Sequence, residues 1–116
     1  MSYILVIDDE PLICYLVDEA LRETGCRVKV ARNWEQGLAF VREEFPLLVL
    51  VDLHLPGKNG QAVLQELGRV APGVPGVLMT GEPGVVSPEA VVLRKPFDLG
   101  ELRRLVEKVI RLPKKP

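Results

Sequence analysis

Apolar residues along this chain alternate between short continuous runs and longer stretches with helical spacing. Continuous apolar runs at 3–7 and 47–51 are typical of strands that are covered on both faces. Shorter or interrupted runs at 27–31, 74–79 and 90–93 predict three more strands. Strands that alternate with helices predict an α/β fold, in which a doubly wound, five-stranded parallel sheet carries helices on both faces.

Helical spacing of apolar residues predicts four helices between and after these strands. The first begins at Pro11, a favoured residue for a first helical turn. Asn33 is expected to cap the second, with Gln36 completing a capping box, and Trp34 is expected to be partly exposed there. A short third helix follows the third strand, and Asp98 is expected to cap the last. The apolar faces are formed by Leu12, Ile13, Leu16, Val17, Ala20 and Leu21, then by Trp34, Leu38, Val41 and Phe45, then by Val63, Leu64 and Leu67, and finally by Leu102, Leu105, Val106, Val109 and Ile110.

The segment 81–90, which connects the last two strands, breaks this alternation. It contains Pro83, Pro88 and two glycines, and these residue types disrupt or weaken helices. A crossover between parallel strands usually needs a dozen or more residues. We therefore predict that the helix expected here is short or absent.

Length and composition exclude several classes of protein. The 116 residues predict one domain. Fifteen basic and sixteen acidic residues give a net charge of −1, so charge gives no reason to expect nucleic acid or an acidic membrane as a partner. No apolar run approaches the roughly 18 residues of a membrane span, and the N-terminus has no secretory-signal pattern. Cys14 and Cys26 lack disulfide or metal-ligand spacing, so we expect a cytoplasmic protein with reduced thiols.

Polar side chains follow four of the five predicted strands. Asp8 and Asp9 follow the first strand, Asp52 the third, Thr80 the fourth and Lys95 the fifth. Because the carboxyl ends of parallel strands meet at one edge of a sheet, we expect these side chains to lie together. Adjacent carboxylates repel each other unless a cation offsets them, and their oxygens suit Mg²⁺. Such a set fits a phosphoryl group, and an aspartate within it can form an aspartyl phosphate.

Each of these residues also has a simpler structural interpretation. Asp8 and Asp9 are suited to capping the first helix, and Asp52 is suited to an Asx-turn. Thr80 could be an ordinary hydroxyl at a strand end, and Lys95 a solvated surface lysine. Considered one at a time, the residues leave these alternatives open.

Four segments at the predicted strand ends form a joint pattern. They read ILVIDDE at 4–10, LVLVDLHLPGKNG at 48–60, LMTG at 78–81 and LRKPF at 93–97. Together and in this order they resemble the CheY-like receiver domain of bacterial two-component response regulators. The resemblance covers nearly the whole chain. It implies a flavodoxin-like strand order of 2-1-3-4-5, a receiver domain over residues 1–112, and a polar tail or the start of a linker at 113–116.

The resemblance also implies roles for individual residues. Asp52 corresponds to the phosphoacceptor. The implied metal site holds Mg²⁺ or Mn²⁺, and its ligands are Asp8, Asp9, Asp52 and the backbone carbonyl of His54. The residues implied to contact the phosphoryl group and to switch with it are Thr80, Gly81 and Lys95. The resemblance also implies a cis peptide bond at Lys95–Pro96. The candidate modulators of the phosphoryl lifetime are His54 and Glu82.

The function that the resemblance implies is that of a signalling switch, not of an enzyme with a diffusible substrate. A histidine kinase or phosphotransfer protein would supply the phosphoryl group, and a downstream protein, which the sequence does not identify, would read the altered conformation. We expect weak self-phosphorylation and self-dephosphorylation, a monomer or weak dimer, and no direct contact with nucleic acid or membrane.

Two departures from the family pattern support rival interpretations. The short 81–90 segment and Val92, where the family typically has a Tyr or Phe, favour a pseudo-receiver that signals by binding alone. A third interpretation is a metal-dependent phosphatase with Asp52 as nucleophile. Such an enzyme usually needs a second acid as general acid, and position 54 is His54 in this chain.

Overall fold

The computed structural model of the protein describes residues 2–22, 24–85, 87 and 90–110. Five parallel strands form one sheet, and a separate two-stranded antiparallel hairpin follows its central strand. In chain order the elements are β1 (Tyr3–Ile7), α1 (Pro11–Arg22), β2 (Arg27–Ala31), α2 (Trp34–Glu43), β3 (Leu48–Asp52), β4 (His54–Leu55), β5 (Lys58–Asn59), α3 (Gly60–Val70), β6 (Gly76–Thr80), β7 (Val91–Arg94) and α4 (Leu99–Val109).

The order of the strands in the main sheet is β2-β1-β3-β6-β7. This is the order predicted for the five strands, once the small hairpin strands are left out of the numbering. All five residues of each of β1, β3 and β6 are buried, as expected for strands covered on both faces. The predicted α/β fold class and strand order are therefore confirmed.

Two hydrophobic clusters hold the helices against the sheet. Successive residues of β1 point to opposite faces, so Leu5 packs on the α2–α3 side and Val6 on the α1–α4 side. The apolar stripes of α1 and α4 meet on one face, and the side chain of Arg103 in α4 donates to the Ala20 carbonyl at 2.9 Å.

No described residue of the segment 81–90 is helical. The segment instead contains a turn at Pro83 and Gly84, where Gly84 has a positive φ of 77°. The predicted loss of the helix is confirmed for these residues. The prediction for Pro88, like that of a polar tail at 113–116, falls outside the described residues.

Several details differ from the sequence-based predictions. The predicted apolar face of α1 includes Leu12, but this residue is 64% exposed, because it lies beside the buried stripe that starts at Ile13. Phe45 is half exposed because α2 ends at Glu43. Trp34 was expected to be partly exposed but is only 5% exposed, since α3 covers its ring.

The capping of the second helix also differs in one partner. The Asn33 side chain accepts from the Gln36 N–H at 2.9 Å, as predicted. The Gln36 side chain accepts from the Arg32 N–H at 2.8 Å, one residue before the expected partner. Among the described helices, none is long and apolar enough to span a membrane.

Candidate functional site

The carboxyl ends of the parallel strands place the predicted polar residues at one edge of the sheet. Asp8 directly follows β1, Asp52 and Thr80 are the last residues of β3 and β6, and Lys95 follows β7. The strand register aligns Asp52 with Met79, so Asp52 and Thr80 lie on neighbouring strands one residue apart in height. The predicted gathering of these four side chains is therefore what the topology produces.

Lys95 is the cationic centre of this group. Its Nζ lies 3.3 Å from Asp8 Oδ2, 3.0 Å from Glu10 Oε1 and 3.5 Å from Asp52 Oδ1. Asp8 is fully buried, and the Asp52 residue is 5% exposed. One ammonium therefore faces three carboxylates, which leaves an excess of negative charge at the site.

This crowding changes the proton affinities of two groups. Burial raises the pKa of Asp8, although the Glu10 N–H and the Lys95 charge partly oppose it. Burial alone would lower the pKa of Lys95, but its bond to Glu10 and the charges of Asp8 and Asp52 raise it above the usual value. Lys95 is therefore protonated at neutral pH, and a further cation would relieve the cost of ionising Asp8.

The side chains of Asp8, Glu10 and Asp52 could together hold a metal ion. One oxygen from each carboxylate lies within 4.8 Å of the others. Hard oxygen donors with net negative charge suit a hard divalent cation. Asp9, which the sequence analysis predicts as a ligand, and Glu10 are both exposed, and the Glu10 carboxylate is the one that belongs to this group. Glu10 was not assigned a role, although the acidic run at 8–10 gave a signal for it.

The structural alternatives for the two aspartates are compatible with these roles. One oxygen of Asp8 accepts from the Glu10 N–H at 2.9 Å, as a residue before a helix commonly does. One oxygen of Asp52 accepts from the His54 N–H at 3.3 Å, which is an Asx-type bond. These local bonds orient the carboxylates and leave other oxygen lone pairs for a ligand.

The loop after Asp52 is fixed by close backbone contacts. The Leu53 N–H donates to the Met79 carbonyl at 2.9 Å, and the Gly60 N–H donates to the Leu53 carbonyl at 2.8 Å. A Cβ added to Gly60 would lie 2.4 Å from the Asp52 carbonyl oxygen and 2.9 Å from the Leu53 Cα. Only glycine fits there, so Gly60 is a site-shaping residue whose role the sequence did not indicate.

A polar cluster of Lys58, Glu66 and Trp34 ties the hairpin after Asp52 to the helices. Lys58 Nζ donates to Glu66, and the Trp34 Nε1–H donates to the other Glu66 oxygen at 2.8 Å. Lys58 Nζ also lies 5.9 Å from the centre of the Trp34 ring. The bonds from Lys58 and Trp34 lower the pKa of Glu66. The hairpin is therefore held against both α2 and α3.

Thr80 and Lys95 are linked through their backbones on the other side of the site. The Lys95 N–H donates to the Thr80 carbonyl at 2.9 Å, and Thr80 Oγ1 accepts from the Glu82 N–H at 3.0 Å. The Lys95–Pro96 peptide bond is cis, as the resemblance implied. A Cβ added to Gly81 would meet the Lys95 carbonyl oxygen at 3.7 Å, an ordinary contact, so space remains beside Thr80.

His54 and Glu82 meet across the mouth of the site. His54 Nε2 lies 2.7 Å from Glu82 Oε1, and both side chains are more than half exposed. These residues follow Asp52 and Thr80 by two positions each, so their contact connects the loops after β3 and β6. Sequence reasoning named both residues but could not show that they meet.

Comparisons with known proteins match nearly the whole chain. The sequence model of the response regulator receiver domain matches residues 4–107. Sporulation initiation phosphotransferase F of Bacillus subtilis is 34% identical over 116 residues, which cover 94% of each protein. DNA-binding response regulator MtrA of Mycolicibacterium smegmatis is 42% identical over 83 residues, and the matched part is 72% of this chain but 36% of MtrA.

A solved structure shares the fold. Chemotaxis response regulator CheY4 of Vibrio cholerae has a TM-score of 0.83 at 23% sequence identity. The similarity covers 95% of this chain and 99% of CheY4. The fold of this chain therefore occurs in a known architecture.

Proposed function

This chain belongs to the response regulator receiver domain family, and from that premise we propose that Asp52 is the residue that accepts its phosphoryl group. Receiver domains are phosphoacceptor switches of two-component systems. The observation that supports Asp52 is its place at the end of the central strand β3, where a nearly buried carboxylate lies 3.5 Å from Lys95 Nζ. Its carboxylate lies in one group with those of Asp8 and Glu10, and Gly60 packs closely against the Asp52–Leu53 backbone.

The proposed reaction is transfer of a phosphoryl group from a phosphohistidine of a histidine kinase or phosphotransfer protein. An Asp52 oxygen forms a bond to phosphorus while the phosphorus–nitrogen bond to the donor imidazole breaks, and the electron pair stays with the imidazole. Lys95 stays protonated and offsets charge on the phosphoryl oxygens. Buried Asp8 holds negative charge next to this centre, which favours recruitment of a cation.

We assign Mg²⁺ to Asp8, Asp9, Asp52 and the His54 backbone carbonyl, the set that the resemblance implies. The metal would supply charge neutralisation at the phosphoryl oxygens. Glu10 is the competing third acid, because its carboxylate lies with those of Asp8 and Asp52. Titration of Mg²⁺ into Asp9→Asn and Glu10→Gln decides between the two acids, since only the ligand's loss weakens binding by a large factor.

The proposed switch residues are Thr80, Gly81 and Lys95. Thr80 Oγ1 is occupied by the Glu82 N–H, so a turn towards a phosphoryl group would exchange one hydrogen bond for another. The open space at Gly81 leaves room for that group. His54 and Glu82 are proposed to modulate the lifetime of the acyl phosphate, because they follow Asp52 and Thr80 by two positions each and their exposed side chains meet.

The test is incubation with Mg²⁺ and a small phosphodonor, followed by intact-mass measurement. The wild type is expected to gain one phosphoryl group and Asp52→Asn none. Asp18→Asn, which changes a half-exposed acid of α1, is the matched control and is expected to be labelled like the wild type. An unlabelled wild type, or equal labelling of Asp52→Asn, contradicts the proposal.

One observation favours a second candidate, a pseudo-receiver that signals by binding alone. The described residues of 81–90 form no helix, and Val92 offers no aromatic ring to change rotamer. The same labelling experiment separates the two candidates. Binding of a partner that is indifferent to Mg²⁺, to phosphodonor and to Asp52→Ala would favour the pseudo-receiver.

A further inference from the structure

The segment 82–85 lies in the connection between β6 and β7, where the described residues form no helix. One side chain of the neighbouring strand β7 holds this segment in place. Arg94, the last residue of β7, donates through its two guanidinium NH₂ groups to the carbonyls of Glu82 and Val85, the latter at 2.8 Å. A helix would satisfy such carbonyls internally. Here the fork of one arginine does so, and it binds the segment at two points.

The same segment contains Glu82, whose carboxylate contacts His54 beside the site. The Glu82 carboxylate meets His54 Nε2 at 2.7 Å, while the Glu82 carbonyl is held by Arg94 and the Glu82 N–H by Thr80 Oγ1. The position of the Glu82 side chain therefore depends on two backbone bonds. One of them belongs to the proposed switch residue, and the other belongs to Arg94.

We propose that Arg94 is a positioning residue which, by holding the segment 82–85, keeps Glu82 against His54 and so limits access of water to phosphorylated Asp52. This inference rests on the proposed function of Asp52. Arg94 itself is exposed, and the carbonyls to which its guanidinium donates are those of Glu82 and Val85. It acts on the phosphoryl group only through Glu82.

The reaction that Arg94 would slow is hydrolysis of the acyl phosphate. A water oxygen forms a bond to phosphorus, the bond between phosphorus and the Asp52 oxygen breaks, and its electron pair returns to the carboxylate. The water's proton passes to phosphate or solvent, so no further reactant is needed. When Thr80 turns towards the phosphoryl group it gives up the Glu82 N–H. Arg94 then provides the remaining backbone bond to Glu82, so its effect is largest in the phosphorylated state.

The experiment compares Arg94→Ala, Arg94→Lys and a control, Arg42→Ala, which removes an exposed arginine of α2. Hydrogen exchange of the Glu82, Gly84 and Val85 amides is measured without phosphodonor. The half-life of the phosphoryl group is measured by intact mass after the donor is removed. Loss of the two Arg94 bonds is expected to speed exchange and shorten the half-life on the order of fivefold, with Arg94→Lys between it and the wild type. Arg42→Ala is expected to match the wild type.

A double variant tests whether Arg94 acts through Glu82. In a Glu82→Ala background, Arg94→Ala is expected to leave the half-life unchanged while it still speeds exchange. A half-life in Arg94→Ala equal to or longer than that of the wild type overturns the inference and leaves Asp52 as acceptor intact. If the wild type itself is not labelled, the proposed function fails, and wild-type exchange rates in Arg94→Ala then overturn the positioning role independently.

Discussion

The two halves of the functional sheet edge are built in opposite ways. After Asp52, the chain is pinned by backbone bonds, by the β4–β5 hairpin and by the Lys58–Glu66–Trp34 cluster, with no space even for a methyl group at Gly60. After Thr80, the segment 82–85 is held by a few polar contacts at the surface. From this difference we infer that the β3 half fixes the geometry of Asp52, the proposed acceptor, while the β6–β7 half is the part that can respond to its phosphorylation.

The largest expected effect comes from filling the space at Gly60 in the pinned half. In Gly60→Ala the new Cβ would meet backbone atoms that cannot give way, so the free energy of unfolding is expected to fall by about 2 kcal/mol. Labelling of Asp52 should fall with it, because the Asp52–Leu53 backbone must move. Urea unfolding and intact mass measure the two quantities.

Gly68→Ala is the matched control for that variant. Gly68 lies in the same helix α3, and a Cβ there meets nothing within 4 Å. Replacement of a helical glycine by alanine should stabilise the protein by about 1 kcal/mol. Equal behaviour of the two variants would contradict the description of the β3 half as rigidly fixed.

The second effect concerns the buried carboxylate of Asp8, which follows β1, the strand next to β3 on the fixed side of the site. Because burial raises the pKa of Asp8 above the ordinary value of 3.8, the folded state binds a proton there more tightly than the unfolded state does. This contribution to stability is present below the ordinary pKa and is lost as the pH rises through the raised value. Asp8→Asn is therefore expected to be more stable than the wild type at neutral pH.

The measurement for Asp8→Asn is urea unfolding over a range of pH, with and without Mg²⁺. The advantage of the variant should shrink towards acidic pH, and Mg²⁺ should stabilise the wild type but not the variant. A constant difference at every pH would show that the Asp8 charge carries no net cost in the fold.

The smallest effect is expected from Gly81→Ala in the responsive half. The added Cβ would make only ordinary contacts with Lys95, so the free energy of unfolding should change by no more than about 0.5 kcal/mol. Labelling by phosphodonor should slow without being lost, because the methyl group narrows the space beside Thr80. A loss of stability as large as that of Gly60→Ala would remove the contrast between the two halves.

The bounds of the central strands could be predicted to within one or two residues, because strands that are buried on both faces have continuous apolar sequences. Parallel topology then placed Asp8, Asp52, Thr80 and Lys95 together, since chain order and strand ends suffice for that inference. The absence of the helix after β6 followed from proline and glycine content, which acts locally.

What could not be predicted depends on how loops close in space. Glu66 lies eight residues from Lys58 and 32 from Trp34, and no local pattern pairs them. The tight clearance at Gly60 arises from a backbone that approaches from seven to eight residues earlier in the chain. The two hydrogen bonds of Arg94 likewise could not be predicted, because an arginine at the end of a strand gives no signal of its partners in the sequence.

The burial of Trp34 has a practical consequence, because it is the only tryptophan in the chain. Its indole N–H donates to the Glu66 carboxylate, the Lys58 ammonium lies 5.9 Å from the centre of the ring, and Lys58 belongs to the hairpin that follows Asp52. A shift of that hairpin would change the electric field across the ring. The intrinsic fluorescence of the protein therefore monitors the loop after Asp52 directly. A steady emission maximum during incubation with phosphodonor would indicate that the β3 half stays rigid.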